Sequence, residues 1–82
     1  MNLTQDIINS GQFSITQIEQ LFVELVENNY SMMIRSDTAR SENLYTCAIT
    51  SSIDEQKSAR RDAPTINEAV VLCLTSYFID LA

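Results

Sequence analysis

Apolar residues recur at intervals of three and four between residues 15 and 26, the spacing that places side chains on one side of an α-helix. The stripe consists of Ile15, Ile18, Leu21, Phe22, Leu25 and Val26. Ser14 precedes it and Gln17 follows three positions later, which is the sequence of a capping box. Asn28 and Asn29 tolerate left-handed backbone and mark the end. The pattern predicts a helix that opens at Ser14 and stops at Asn28 and Asn29.

Two segments after this helix alternate between apolar and polar residues, which predicts β-strands. They are Tyr30–Arg35 and Leu44–Thr50, and the polar residues 36–43 between them predict a long hairpin connection. Residues 51–64 are rich in Ser, Asp, Lys and Arg. This stretch predicts an exposed loop, or a short helix from Ser52.

The last predicted helix begins after a second capping box, formed by Thr65 and Glu68. One continuous apolar face extends over more than four turns and comprises Ile66, Ala69, Val70, Cys73, Leu74, Tyr77, Phe78 and Leu81. Leu72 and Ile79 lie nearly opposite the centre of that face, and Val71 lies at its border. A helix that is apolar on two sides requires two neighbours, so these three residues predict a partner interface.

The order of elements predicts one α+β domain over residues 1–82: helix, strand, strand, helix, with both helices on one face of a small antiparallel sheet. A short helix over residues 4–10, closed by Gly11, is predicted before them. A two-stranded sheet is marginal in water. Either residues 51–64 contain a third strand or a second copy completes the sheet. The hypothesis is a homodimer that uses a strand edge, the Leu72 and Ile79 stripe, or both.

The composition excludes most enzyme chemistry. The 82 residues contain no His, no Trp, one Gly and one Lys, so a phosphate loop, a dinucleotide fingerprint, a His-based triad and a Cys/His zinc site are all absent from the sequence. We therefore expect no catalytic residues, no cofactor and no metal. Cys47 and Cys73 have apolar neighbours and predict buried, reduced thiols in a cytoplasmic protein; a single disulfide between them is the alternative.

The formal net charge is -6 and the pI is about 4.2. Such a field repels phosphate backbones and anionic lipids, so we expect no direct binding to nucleic acid or to membranes. The longest apolar run has six residues, Ala69 to Leu74, so the sequence predicts neither a signal peptide nor a membrane span.

The unevenly placed charges suggest two surfaces. Glu19, Glu24 and Glu27 are predicted on the outer side of the first long helix, where they either keep the protein soluble or imitate a row of phosphates. Lys57, Arg60 and Arg61 form a basic cluster in the predicted loop. This cluster is a candidate contact for phosphate or for an acidic partner; the alternative is a solvated loop balanced by three neighbouring acids.

The second half of the chain resembles the closing strand and helix of small phage α/β sandwich domains. The resemblance covers Tyr45 to Phe78: an aromatic-bearing strand, a polar stretch with two arginines, and Ala-Pro-Thr-Ile-Asn-Glu-Ala leading into a Cys-containing apolar helix. It implies a small accessory protein of phage or prophage origin. That family has no established activity to transfer.

These observations predict a non-enzymatic module that binds a partner protein. Its interface would consist of Val71, Leu72 and Ile79, with Met33, which the strand pattern leaves exposed. The alternative is an acidic inhibitor that mimics nucleic acid and blocks a host or defence complex. An enzyme is the third reading, but the sequence offers few bases that would activate its Ser, Thr or Tyr residues.

Overall fold

The structure is a computed structural model that describes residues 1–81. Its elements, in chain order, are helix α1 (Asn2–Ser10), helix α2 (Ile15–Glu27), strand β1 (Tyr30–Ser36), strand β2 (Tyr45–Ser51), strand β3 (Ser58–Ala63), helix α3 (Ile66–Thr75) and a π-helical segment (Ser76–Asp80). The predicted α+β class is confirmed. The order differs from the prediction by a third strand.

Both predicted helix starts are present at the expected residues. The Ser14 hydroxyl accepts the Gln17 amide at 3.2 Å, and the Gln17 side chain accepts the Ser14 amide at 2.9 Å, so the capping box of α2 is complete. Thr65 accepts the Glu68 amide at 3.1 Å and opens α3. Before them, α1 ends at Gly11, whose φ of 72° is the left-handed conformation that glycine adopts without steric cost.

Strand β3 corrects the prediction of a loop over residues 51–64. The sheet is antiparallel with the order β1-β2-β3, and β2 pairs with β3 from Tyr45↔Ala63 to Thr50↔Ser58. Only Ala59 and Ala63 of β3 are buried, because α3 lies directly over them and leaves room for small side chains. A strand with so few apolar residues gives almost no periodic signal. The third strand removes the need for a second chain to complete the sheet.

One outward carbonyl on the free edge of β3 already has a hydrogen-bond partner within the chain. The amide bonds from Ser52 to Asn29 and from Asp37 to Leu44 identify the hydrogen-bonded pairs of the β1–β2 ladder. Because such pairs alternate, the carbonyl of Arg60 points away from β2, to the outer edge. The Arg61 guanidinium donates to this carbonyl at 2.8 Å. A charged strand that satisfies its own outward carbonyl is a poor template for another strand.

The helices form one layer on one face of the sheet. Helix α3 packs across β2 and β3, α2 packs beside β1, and α1 contacts both other helices. The core between the layers comprises Ile7, Leu21, Leu25, Cys47, Ile49, Ala59, Ala63, Ala69, Val70, Cys73, Leu74 and Tyr77. Two residues of the apolar stripe of α2 are not covered by the rest of the fold: Ile15 is 90% exposed and Val26 is 68% exposed. Both residues belong to the predicted apolar stripe, but they lie outside the core.

The apolar pattern predicted one continuous α-helix to Leu81, but the α-helix ends at Thr75. After Thr75 the backbone widens into π-helical turns, with the Leu81 amide bonded to the Ser76 carbonyl. The rings of Tyr77 and Phe78 both meet Tyr30 edge-on, with ring centroids 5.5 and 5.1 Å away. The wider turn thus accompanies two consecutive aromatic residues packed against the same ring.

Candidate functional site

Helix α3 and the π-helical segment that follows it expose several apolar side chains. Two of them, Leu72 of α3 at 48% exposed and Ile79 of the π-helical segment at 47% exposed, are called here the α3 outer face. The exposure predicted for both residues is confirmed. Val71, predicted beside them, is partly buried against the core. Leu72 and Ile79 therefore project into solvent, whereas Val71 packs partly against the core.

Met33 does not join the α3 outer face. Its neighbours Met32 and Ile34 pack against the core on the helix side of the sheet, so Met33 points to the opposite, open face. There it is 48% exposed and pairs with Ala48 of β2. The residues predicted as one partner interface therefore lie on two separate surfaces.

Glu24 has a structural role that differs from the predicted acidic surface. Its carboxylate accepts the Leu3 amide at 3.1 Å, the Thr4 amide at 2.8 Å and the Thr4 hydroxyl at 2.6 Å. It caps the start of α1 from across the helix layer, where Met1 offers no side-chain cap. Burial acts to raise the pKa of Glu24, but these hydrogen bonds outweigh it and lower the pKa. Glu19 and Glu27 are exposed, as predicted.

The predicted basic loop does not form a single cluster. Lys57 precedes β3 in a turn, and Arg60 and Arg61 lie within the strand on opposite faces of the sheet. Arg60 Nε lies 3.7 Å from a carboxylate oxygen of Asp62 on the open face. The prediction placed all three cations on one exposed loop; strand alternation instead places Arg60 and Arg61 on opposite faces, and Lys57 lies before the strand.

A polar network on the open face of the sheet was not predicted from the sequence. The buried Thr46 hydroxyl donates to Asp62 at 2.5 Å and accepts from Arg40 at 2.8 Å, and Arg40 also meets Asp62 at 3.1 Å. The hydrogen bonds from Thr46 and then Arg40 lower the pKa of Asp62. The network holds the β1–β2 connection against the sheet. Its members are distant in sequence, so no local motif marks them.

The two layers differ in charge. Every charged side chain in the helical layer, residues 2–27 and 66–80, is acidic: Asp6, Glu19, Glu24, Glu27, Glu68 and Asp80. Residues 30–63, which contain the sheet and its connections, carry all five basic residues and the five remaining acids. The sheet layer is therefore neutral overall, and the helical layer carries the whole net charge of -6.

An apolar groove of about 490 Å³ opens where α2 and α3 begin and β1 ends. Its apolar walls are Phe13, Ile15, Ile18, Phe22, Ile34 and Ile66. A separate cleft of about 330 Å³ adjoins the aromatic cluster and includes Tyr77, Lys57 and Asp54. Burial raises the pKa of Tyr77. Both concavities combine residues from several elements, which sequence periodicity does not bring together.

The described residues do not gather metal-ligating side chains. Within residues 1–81, no group of three or more Cys, Asp or Glu residues is arranged to hold a metal ion. Over the same range, no helix has the length and apolar character needed to cross a bilayer. Cys47 and Cys73 are free thiols and both are buried, as predicted for reduced cysteines.

Comparisons with protein-family models, with curated proteins and with solved structures find no match to this chain. The resemblance to phage sandwich domains therefore remains a prediction from the sequence.

Proposed function

We propose that this protein is a non-enzymatic interaction module that binds a partner protein through its helical layer. The observation that carries the proposal is the combination of half-exposed Leu72 and Ile79 with a layer that contains only acidic charges. The non-enzymatic character rests on the residue types, because a chain without His and with one Lys offers few general bases.

Apolar side chains and acidic charges have different roles in such contact. Leu72 and Ile79 gain free energy when a partner removes them from water, and contacts of this kind dominate many interfaces. Acidic residues around them affect the approach of the partner and its selection more than the final affinity. The expected partner surface is therefore apolar at its centre and bordered by Lys or Arg.

A double substitution on the α3 outer face tests this proposal. We expect Leu72→Ser with Ile79→Ser to weaken partner binding at least about tenfold, since each lost apolar contact costs on the order of 1–3 kcal/mol. Affinity purification with chemical cross-linking would identify the partner, and titration with the purified partner would give the dissociation constants.

Ile53→Ser is the matched control, because Ile53 is 78% exposed but lies outside the helical layer. Unchanged affinity of the Leu72/Ile79 double variant, with a normal melting temperature, would refute the proposed surface. Loss of binding in the Ile53 variant alone would place the interface on the connection between β2 and β3.

The second candidate is an acidic inhibitor that mimics nucleic acid, and the all-acidic helical layer supports it. The engagement of Glu24 with α1 leaves Glu19 and Glu27 as the projecting carboxylates of α2. A mimic would lose binding in a Glu19→Gln and Glu27→Gln variant, and its binding would decline steeply with salt. A module centred on Leu72 and Ile79 would retain most of its affinity under both conditions.

We propose, as part of the same reading, a phage- or prophage-related accessory protein in the cytoplasm. The free thiols of Cys47 and Cys73 support a reducing compartment. The phage origin rests on the resemblance of Tyr45 to Phe78.

Self-association through the α3 outer face is the remaining part of the proposal. Leu72 and Ile79 of one copy would face those of a second copy. An acid lies close to each of them in the sequence: Glu68 is four positions before Leu72, and Asp80 directly follows Ile79. Salt screens the repulsion between these acids, so we expect a dimer in sedimentation equilibrium that strengthens as salt rises. A monomer of about 9 kDa at micromolar concentration at every salt level would contradict this expectation.

A further inference from the structure

Strand β1 is an edge strand, with β2 as its neighbour in the sheet. Asn29 and Asp37, which flank β1, are hydrogen-bonded through their main chains to Ser52 and Leu44, which flank β2. Bonded pairs alternate in an antiparallel ladder, so the main chain of the odd-numbered residues of β1 faces β2. The main chain of the even-numbered residues faces the free edge: Tyr30, Met32, Ile34 and Ser36. Among residues 1–81, these outward N–H and C=O groups have no main-chain partner.

The sequence of β1 leaves this edge open to pairing. Its residues, Tyr-Ser-Met-Met-Ile-Arg-Ser, contain no Pro and no Lys, and the register with β2 is continuous over Tyr30–Ser36, without a bulge. The one charged residue, Arg35, is odd-numbered, so its side chain points to the open face of the sheet. The opposite edge strand, β3, carries Arg60, Arg61 and Asp62. Of the two edges, β1 is therefore the better template for a further strand.

The apolar groove lies beside the same edge. Ile34 belongs to both features, because its side chain lines the groove and its main chain faces the free edge. Residues that pair directly across two strands point to the same face of the sheet, with their Cβ atoms about 5 Å apart. A new strand at this edge thus places the side chain opposite Ile34 on the helix side, next to the groove.

Helix α2 exposes apolar side chains on the side of this edge. Glu24 bonds to α1, and α1 also contacts α3, so this side of α2 faces the interior of the helical layer. Ile15 is nine positions before Glu24, which is two and a half turns, so it lies on the opposite side of α2. Val26 shares the side of Ile15, and both are exposed. Because α3 packs across β2 and β3, this outward side of α2 is the side of the free edge of β1.

Acidic residues border the exposed apolar side of α2. Glu19 lies one turn from both Ile15 and Phe22. Glu27 directly follows Val26, and both carboxylates are exposed. Helix α2 contains no basic residue, and the helical layer carries the whole net charge of -6. A complementary strand therefore has apolar residues at alternate positions and Lys or Arg at its ends.

We propose that the free edge of β1 binds an extended segment of a partner protein, which joins the sheet as a fourth, antiparallel strand. The main chain of the segment bonds to that of Met32 and Ile34, and its alternate apolar side chains pack against α2 and enter the apolar groove. Its terminal Lys or Arg residues approach Glu19 and Glu27. In strand addition the main-chain bonds supply affinity and the side-chain positions supply specificity. The site shares no residue with the α3 outer face, so it does not depend on the partner binding proposed above.

Hydrogen exchange with a synthetic peptide tests this site. The probe alternates valine with threonine, carries a lysine at each end, and is added to the whole protein. In the free protein, the Met32 and Ile34 amides should exchange much faster than those of Ser31 and Met33, which bond to β2. A free peptide concentration of about 100 times its dissociation constant should slow exchange of Met32 and Ile34 about 100-fold and remove this contrast. A contrast that persists in the saturated complex would overturn the proposal, as would no binding of the peptide up to millimolar concentration.

Two methylated peptides separate main-chain pairing from apolar adhesion. In antiparallel pairing the valine amides face β1 and the threonine amides face away. We expect N-methylation of the valines to weaken binding at least about tenfold, since it removes the bonding hydrogens, and N-methylation of the threonines to have little effect. Equal binding of the two peptides, or loss with the threonine-methylated peptide alone, would contradict the proposed pairing.

Variants of the protein then test the groove. Ile15→Ser should weaken peptide binding several-fold with little effect on folding, because Ile15 lines the groove and is 90% exposed. Val23→Ser is the matched control, since Val23 is an exposed apolar residue of the same helix that does not line the groove. Equal loss in the two variants would refute the assigned site. The Leu72→Ser and Ile79→Ser double variant should bind the peptide as the wild type does, so the two surfaces are tested separately. Protection of Met32 and Ile34 that rises with protein concentration in the absence of peptide would overturn the proposal in favour of a second copy.

Discussion

Replacement of Ile49 by alanine is expected to lower the free energy of unfolding by about 2–5 kcal/mol. Ile49 is fully buried on the central strand, between Met32 of β1 and Ala59 of β3, with α3 packed above. Ala59 is too small to fill the space that the substitution leaves. Neighbours on all sides belong to regular elements, so the site collapses poorly and a cavity remains.

The loss is large relative to the total stability of a small domain, which is on the order of 5–15 kcal/mol at most. Urea denaturation followed by circular dichroism measures it. Ile53→Ala is the control, because Ile53 is the same residue type at 78% exposure and should change stability by less than about 0.5 kcal/mol. Equal effects at both positions would mean that Ile49 is not part of the core described above.

Replacement of Glu24 by alanine is the second large effect, about 1–2 kcal/mol. The carboxylate accepts two amides and one hydroxyl from the first turn of α1, and alanine leaves those amides without their partner. We expect α1 to separate from the helical layer more often, which exposes Ile7. Hydrogen exchange of the Leu3 and Thr4 amides would report this opening directly.

Glu27→Ala is the matched control for Glu24, since Glu27 is an exposed carboxylate on the same helix. Its substitution should leave the exchange of the α1 amides unchanged. Similar exchange in the two variants would show that charge on α2, and not the cap by Glu24, stabilises α1.

The same cap predicts how stability depends on pH. The folded-state pKa of Glu24 is lowered, so the folded protein holds the carboxylate form more strongly than the unfolded chain does. Its contribution is complete above the ordinary pKa of Glu, about 4.3, and is lost as pH falls through the folded-state value. Glu24→Ala should therefore show a weaker loss of stability on acidification than the wild type, in denaturation experiments between neutral pH and about pH 3.

The segregation of charge also gives the two binding proposals opposite responses to salt. A partner bordered by Lys or Arg is attracted by the acidic helical layer, so added salt slows its association. A second copy is repelled by the same layer, so added salt promotes dimerisation. The two responses can be separated with one protein preparation.

Much of the fold was predictable because its signals are local. The capping residues Ser14 and Thr65 place the starts of α2 and α3 correctly, since hydroxyl side chains bond amides only three positions away. Alternation correctly identified β1 and β2, and helical spacing correctly left Leu72 and Ile79 outside the core. Each of these predictions depends on residues within one or two turns of each other.

The remaining features depended on contacts between distant segments. Strand β3 exists because β2 offers it a hydrogen-bonding edge, although its own residues are mostly polar. Glu24 looks like any other surface carboxylate until α1 folds back against it. The apolar groove likewise requires elements that meet only in the folded chain.

The sequence by itself determined the helical and strand periods, the caps, the absence of His-based chemistry and the net negative charge. The tertiary structure decided which charges remain free, which apolar residues stay exposed and which residues line the apolar groove. The physical reason is range: propensity, capping and periodicity act within a few residues, whereas burial and pairing are set by whichever distant segment occupies the neighbouring space.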